Sequence, residues 1–324
     1  MRVAVLGAGM AGASAAMHLK QAGHQVTVID KSRGVGGRMS TRRMLEGQFD
    51  LGAQYFTARD NAFIAQVDTW LSKGAVAAWQ PSIATYSAAT GLTHSPDDQV
   101  RYVGRPAMNA PIKYMLSGIN VELNFKIEQV AFESGKWQLG ALGEFDALVS
   151  TLPPEQALEL FPHEPILHEM QSVMSPCLAI GLQLAQPITA KVDAVFIKEH
   201  PLNWVARDSS KPHRNHQHDY WLLHCSPAWS KANYDKPADE LLDHAVQWLS
   251  EIFSVHDLSL LSTTVHRWRY AKPVPDAPRI DASFNASCGL ALAGDWLQGG
   301  RVEGAWLSGK YAAQQIAQWS MRGN

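Results

Sequence analysis

Arg2-Val3-Ala4-Val5-Leu6 is a short apolar run that breaks at once into Gly7-Ala8-Gly9-Met10-Ala11-Gly12. An alanine-rich helical stretch follows, then a β-branched run, Gln25-Val26-Thr27-Val28-Ile29, that ends on Asp30. Strand, glycine turn, helix and second strand in this order form the βαβ unit that cradles a pyrophosphate. Gly7 permits the tight turn, Gly9 lets the backbone approach a phosphate, and Gly12 lets the helix pack against the sheet. The amides at the helix start, reinforced by its dipole, hold the anion. Asp30 falls 18 residues after Gly12, where a carboxylate takes both hydroxyls of an adenosine ribose and repels a 2′-phosphate. This segment is expected to bind the ADP half of a dinucleotide.

Working outward, the 324 residues suffice for two domains, and 46% hydrophobic against 18% charged residues describes an ordinary globular chain. A net charge of −2, from 28 basic and 30 acidic side chains, argues against a nucleic-acid surface or a polybasic membrane patch. Cys177, Cys225 and Cys288 are far apart and lack CxxC spacing, which fits reduced thiols in the cytoplasm better than disulfides or a zinc site. Glycines interrupt the apolar start, so it reads as a strand and not a signal peptide. No other apolar run approaches a membrane span, and a soluble protein is expected.

Along the chain, helices are expected over Asn61 to Lys73, with Phe63, Ile64, Val67, Trp70 and Leu71 on one face, over Pro106 to Leu116, and near Asp239 to Phe253. Residues 120–150 read as a β-meander broken at Glu133-Ser134-Gly135 and Leu142-Gly143, and Ala147-Leu148-Val149-Ser150-Thr151-Leu152 as a buried strand that stops at Pro153-Pro154. Gly289-Leu290-Ala291-Leu292-Ala293 is a further buried strand, feeding Gly294-Asp295 and a helix from about Val302 to Trp319. The last strand and helix resemble a return to the first sheet. The expected division is therefore a cofactor domain from 1–58, 104–160 and 285–324, with 59–103 and 161–284 forming an inserted substrate domain.

A nicotinamide dehydrogenase needs the first βαβ unit and little else of this kind. Here a second glycine cluster follows Asp30, with Arg33 and Arg38 bracketing Gly34, Gly36 and Gly37. Arg38 offers paired donors to phosphate oxygens, whereas Arg42 and Arg43 suit a solvated turn. A third cluster, Gly294-Asp295-Trp296-Leu297-Gln298-Gly299-Gly300-Arg301-Val302-Glu303-Gly304-Ala305, lies about 260 residues downstream. There Asp295 can accept ribityl hydroxyls, and the helix start points positive charge at the edge of a flavin that becomes anionic on reduction. One long dinucleotide touched by both ends of the chain, FAD, accounts for all three clusters.

These three segments resemble the flavin amine oxidases and their relatives. Gly37-Arg38-Met39-Ser40-Thr41-Arg42 together with Phe49-Asp50-Leu51-Gly52-Ala53-Gln54-Tyr55-Phe56-Thr57 is similar, more narrowly, to the bacterial renalases. The resemblance implies an α/β fold: a Rossmann-like FAD-binding domain of the glutathione-reductase/p-hydroxybenzoate-hydroxylase kind, with an inserted α+β substrate domain on a mixed sheet. It implies oxidation of 1,2- and 1,6-dihydro isomers of NAD(P) to NAD(P)+, with O2 reduced to hydrogen peroxide. The alternative it leaves is an amine oxidase or desaturase-like oxidoreductase. Two departures from the amine oxidases matter. Cys288 precedes the last buried strand and reads as core, so the FAD is expected to be noncovalent. Arg301 stands where those enzymes carry an aromatic-cage tyrosine, and a cation there favours reduced flavin or an anionic ligand.

The residues expected to hold FAD are Gly7, Gly9, Met10, Ala11 and Gly12; Asp30, Lys31 and Arg33; Gly37, Arg38 and Met39; Gln54, Tyr55 and Phe56; Val130 and Thr151; and Asp295, Arg301 and Val302. Tyr55, His224 and Arg301 are the candidates for the reaction pocket. Tyr220, Leu222 and His224 share one face of a strand, with Trp221 and Leu223 opposite. The renalase pattern places a histidine at the position of His224; the competing reading is a core histidine. Trp268 and Tyr270 suit pocket and core equally. Hydride transfer from a dihydronicotinamide leaves an aromatic cation and needs no acid or base, only stacking and orientation. His213, His216 and His218 lie in a polar loop without metal-ligand spacing, so no metal is expected. Glu303 reads as a helix-dipole partner. A protein that retains FAD without turnover is the reading from outside enzymology.

Overall fold

The computed structural model describes residues 1–322; the final two residues of the expected cofactor domain lie outside them. The first sheet has six strands in the order Ser283–Asn285, Leu290–Leu292, Ala147–Ser150, Arg2–Leu6, Gln25–Ile29 and Asn120–Glu122, parallel except at Ser283–Asn285. Both faces are covered at its centre, which is why Ala147–Ser150 and Leu290–Leu292 are buried throughout and do not alternate. Val3, Val5 and Val149 face the helices Met10–Gln21 and Val302–Arg322, while Ala4, Leu6 and Leu148 face a second core holding Trp137, Phe145 and Phe161. The two helices touch backbone to backbone: a Cβ on Gly309 would stand 2.1 Å from the Ala11 carbonyl oxygen.

The second sheet has seven strands in the order Leu260–Pro273, Met174–Leu184, Asp219–Cys225, Leu202–Arg207, Ala194–Ile197, Ile83–Ser87 and Gly91–His94. It is mixed, with Ile83–Ser87 parallel to Ala194–Ile197 and its other neighbours antiparallel. Trp221 and Leu223 point to a core closed by the amphipathic helix Ala238–Phe253. Tyr220 and Leu222 point the other way, beneath Phe49 and Leu51 of the hairpin Thr41–Arg43/Gln48–Asp50. Gly181 is small because Phe49 lies on it; a Cβ there would meet the ring at 2.9 Å. This hairpin covers part of the sheet face and leaves the remainder open.

Two expectations change. The helix expected from Pro106 starts at Ala110, with Pro111 in its first turn. The Pro106 carbonyl that would accept the first helical bond is held by the Gln48 and Arg214 side chains. Asn120–Glu122 leaves the meander to pair in parallel with Gln25–Ile29, and the small antiparallel sheet is Ala131–Glu133, Lys136–Gln138 and Glu144–Phe145. Alternation reveals a strand but not its partner. Among the described residues no helix is long and apolar enough to cross a membrane.

Candidate active site

A cavity of about 1400 Å³ runs between the two sheets, larger than the roughly 300–1,000 Å³ of a typical single-ligand pocket. One wall is glycine backbone. The helix Met10–Gln21 starts at Gly9 with no side-chain cap and no acidic residue in its first turn, so its free amides face the cavity. The second glycine cluster closes on the first: Gly36 N–H donates to the Ala8 carbonyl at 2.9 Å, and a Cβ on Gly37 would lie 3.3 Å from Gly9 Cα. A Cβ on Gly12 would sit 1.9 Å from the Gly7 oxygen, so helix and turn meet here only through glycine. Asp30 accepts from Ala8 N–H at 2.7 Å and Ser32 N–H at 2.8 Å, which fixes its carboxylate on the wall at the strand's end. This uncapped helix start and anchored acid fit the ADP half of a dinucleotide.

Arg38 does not stand free to fork onto phosphate. Both its terminal nitrogens donate to Asp295, one of them at 2.9 Å, and the guanidinium also reaches the Ala271 carbonyl at 3.1 Å. The pair ties the second glycine cluster to the Gly294-Asp295 turn, bringing the chain's ends together on one wall. Gly299, Gly300 and Arg301 then run in the left-handed region at φ 72°, 88° and 76°. Arg301 is the residue for which this conformation is uncommon. It is exposed and lines the cavity immediately before the helix Val302–Arg322. Glu303 does more than face the helix dipole. It accepts from the backbone N–H groups of Arg59 and Asp60 at 2.6 and 2.8 Å, pinning the start of the helix Asn61–Ser72.

The opposite wall is the open face of the seven-stranded sheet. Strand register sets Phe196, Trp204, His224, Ala179 and His266 side by side across five strands, with Cys177 opposite Trp268 one step along. All of these except Ala179 line the cavity. His224 Nε2–H donates to the Leu51 carbonyl at 3.0 Å, the same oxygen that accepts from Trp268 Nε1 at 3.0 Å. Burial pushes His224 down to about 4 against that hydrogen bond, and also lowers His266. Burial pushes the Cys177 thiol up to about 12. His224, His266 and Cys177 are therefore neutral near pH 7, while Arg267, Arg269 and Lys272 of the strand Leu260–Pro273 line the same cavity as cations. Tyr55 closes the corner, its ring 5.6 Å from Trp204 and 6.2 Å from Trp79, with the Arg101 guanidinium 5.1 Å over it.

Behind this corner lies a buried charge cluster that sequence reading missed. Asp50 accepts from Thr41 Oγ1 at 2.6 Å, Arg214 Nη2 at 2.8 Å and Lys211 Nζ at 3.2 Å; its own N–H donates to Asp208 at 2.6 Å. Lys211 also pairs with Asp208 and donates to Gln54 Oε1 at 3.2 Å. Burial alone would raise Asp50, but Lys211 and Arg214 hold it down at about 2; burial dominates at Asp208 and raises it to about 6. Lys211 and Arg214, on either side of His213 in the polar loop, are buried. The histidines of that loop do stay toward its surface side, His218 pairing with Glu46 at 2.9 Å. No local pattern distinguishes such a loop from a solvated one, because Asp50, the acid both side chains meet, is 161 and 164 residues away.

Of the residues expected at the cofactor and the pocket, Gly7, Gly9, Met10, Ala11, Asp30, Lys31, Gly37, Arg38, Met39, Gln54, Tyr55, Phe56, Thr151, His224, Asp295, Arg301 and Val302 line this one cavity. Three do not. Gly12 sits behind the wall as a helix–strand contact, Arg33 is exposed outside it, and Val130 packs half-buried on the core around Trp137. Phe125, Lys126, Ile127 and Glu128 supply the wall in place of Val130. Gln54 lines the cavity, but its amide is spent on Lys211 and the Asp50 and Gly52 carbonyls. Cys288 is core, its carbonyl accepting from Trp137 Nε1 at 2.7 Å.

Comparison with known proteins follows the same division. A model of an NAD(P)-binding Rossmann-like domain matches residues 5–67, and one of flavin-containing amine oxidoreductases matches residues 68–317. An L-amino-acid oxidase of Crotalus adamanteus is 55% identical over 51 residues, 16% of this chain and 10% of the oxidase. A D-amino acid dehydrogenase of Neisseria meningitidis is 52% identical over 52 residues, 16% of this chain and 12% of the dehydrogenase. These matches thus span about a tenth of the relatives' length. The fold is that of cyclohexylamine oxidase from Brevibacterium oxydans, at a TM-score of 0.79 and 14% identity over 99% of each chain. With the family match extending over most of the sequence and a cavity fitted to a dinucleotide, the chain belongs to the flavin-containing amine oxidoreductases, and FAD is its cofactor.

Proposed function

We propose that this protein is an FAD-dependent oxidase of isomeric dihydronicotinamides, taking 1,2- and 1,6-dihydro-NAD(P) to NAD(P)+ and O2 to hydrogen peroxide, with the flavin held noncovalently. The flavin, when bound, supplies a hydride acceptor. The observation that carries the reading is the neutral middle of the sheet wall, where the register sets His224, His266 and Cys177 close together and all three are uncharged near pH 7. Such a wall suits a donor that gives up a hydride, keeps its protons and leaves as an aromatic cation. Trp204, Trp268 and Tyr55 offer flat surfaces to stack a planar ring, and the His224 and Trp268 bonds to Leu51 keep two of the rings in place. Arg301 on the opposite wall repels a substrate ammonium and accepts an anionic group. The three unpaired cysteines suit a reducing, cytoplasmic setting.

Amine oxidation is the second reading, favoured by the family match across residues 68–317. A neutral wall also admits an amine in its uncharged form. Anaerobic mixing separates the two. The first reading expects rapid bleaching of the flavin by the 1,2- or 1,6-dihydro isomers, at a rate constant without the climb toward high pH that deprotonation of an ammonium would bring. Bleaching by amines alone, with a rate that climbs with pH as the ammonium loses its proton, would establish the second and remove the first.

A further inference from the structure

We infer that Asn203 selects substrates by reading a primary carboxamide carried on the planar ring; the inference rests on the dihydronicotinamide reading and names the group that reading leaves unassigned. Along Leu202–Arg207 the side chains alternate: Val205 points into the core under the helix Ala238–Phe253, while Trp204 and Ala206 point the opposite way. Uninterrupted alternation would send Asn203 into the apolar core with Val205. Instead the register against the neighbouring strand slips, Leu202 facing Cys225 and Trp204 facing His224, so that Asn203 is the extra residue of a β-bulge. Leu202 takes the core position, and Asn203 and Trp204 both line the cavity.

The re-aimed side chain has no protein group to satisfy it. Asn203 Oδ1 is buried without a hydrogen-bond partner, and so is its neighbour Trp204 Nε1, among the described residues. Buried polar atoms are nearly always paired, and orphaned atoms on two successive residues that both line the cavity point to polar demand that a ligand would meet. The Asn amide presents a donor and an acceptor in one plane and exchanges them by a half-turn. Its complement is another primary amide, which returns a donor and an acceptor in the same plane. An ammonium offers donors only, an uncharged amine carries its donors and its lone pair on one atom that cannot span both ends of the Asn amide, and a carboxylate or ketone offers acceptors only. Each leaves one end of Asn203 unpaired, and a site built to hydrogen-bond an N–H rejects the analogue lacking it.

The test titrates the oxidised holoenzyme with nicotinamide, 3-acetylpyridine and nicotinate, following the perturbation of the flavin absorbance. Wild type is expected to bind nicotinamide roughly tenfold more tightly than 3-acetylpyridine, which keeps the carbonyl and lacks the N–H. Asn203→Leu, checked for wild-type flavin content, should bind the two alike, whereas the isosteric Asn203→Asp, whose carboxylate still accepts the amide N–H and repels a bare carbonyl, should keep the preference for nicotinamide. Equal binding by wild type, or an unchanged preference in Asn203→Leu, overturns the inference. The outcome is separable from the oxidase reading. Flavin bleached by dihydronicotinamides with preference unaltered in Asn203→Leu defeats the role of Asn203 alone. An Asn203-dependent preference without bleaching by any dihydronicotinamide defeats the oxidase reading and leaves a carboxamide site.

Discussion

Where Gly7–Gly12 and Gly36–Gly37 form the cavity wall, the surface is mostly backbone; where Phe196, Trp204, His224 and His266 form it, the surface is side chains held by a sheet and by charges buried behind Tyr55. The first wall owes its shape to atoms that are missing, and an added methyl group damages it. The second owes its shape to what stands behind it, and removing a supporting group damages it. Perturbations should therefore differ in sign of volume as well as in size.

The largest effect is expected from Lys211→Met, which keeps volume but leaves Asp50 and Asp208 facing one another in a buried site. Breaking a buried ion pair from one side costs about 3–5 kcal/mol, measurable by urea unfolding, and flavin content should fall with it. Retention of wild-type stability would show that the cluster supports nothing. Next is Gly12→Ala, immediately behind the backbone wall. Its Cβ would meet the Gly7 oxygen at 1.9 Å, and overpacking of this kind costs about 1–3 kcal/mol. Because the strain falls on the glycine turn, bound FAD per chain should drop more steeply than the unfolding midpoint; an equal drop in both would deny the turn its separate role.

A subtler experiment uses pH to divide the charge cluster. Asp50 is held below its ordinary value, so its contribution to stability is present above about pH 4 and lost as pH falls toward 2. Asp208 is raised to about 6, so its contribution is largest below about pH 4 and lost as pH rises through 6. His224, lowered from 6.5 to about 4, runs opposite to Asp208 across that window, adding stability that is lost as pH falls. The informative quantity is thus wild type minus Asp208→Asn: the difference should change between pH 4 and 6 and level off above, whereas a flat difference would place the titration elsewhere. The smallest effect serves as a control away from both walls. Asp60 caps the helix Asn61–Ser72 by accepting from Ala62 and Phe63 N–H, so Asp60→Ala should cost about 1 kcal/mol by thermal unfolding and leave flavin content untouched.

The same contrast explains what could be read in advance. The face shared by Tyr220, Leu222 and His224 was legible because alternation is a property of neighbours in sequence. The helix Ala238–Phe253 was legible because six buried apolar residues recur at helical spacing. The bulge at Asn203 was not, since it is a slip relative to a strand about twenty residues later and leaves Pro201-Leu202-Asn203-Trp204 looking like any strand entry. Nor was the fate of Arg38 legible: its fork was expected on phosphate oxygens, and only folding brought Asp295 to it.

By itself the sequence determined the βαβ unit, the uncapped helix start, the anchored acid at Asp30 and the return of the last strand and helix to the first sheet. Each depends on backbone conformations and periodicities that a few adjacent residues dictate. Tertiary structure alone decided which side chains share the sheet wall, that its histidines are neutral, and that Lys211 and Arg214 leave water to meet Asp50. Those outcomes depend on strand register and on desolvation, and both are set by residues far away in the chain.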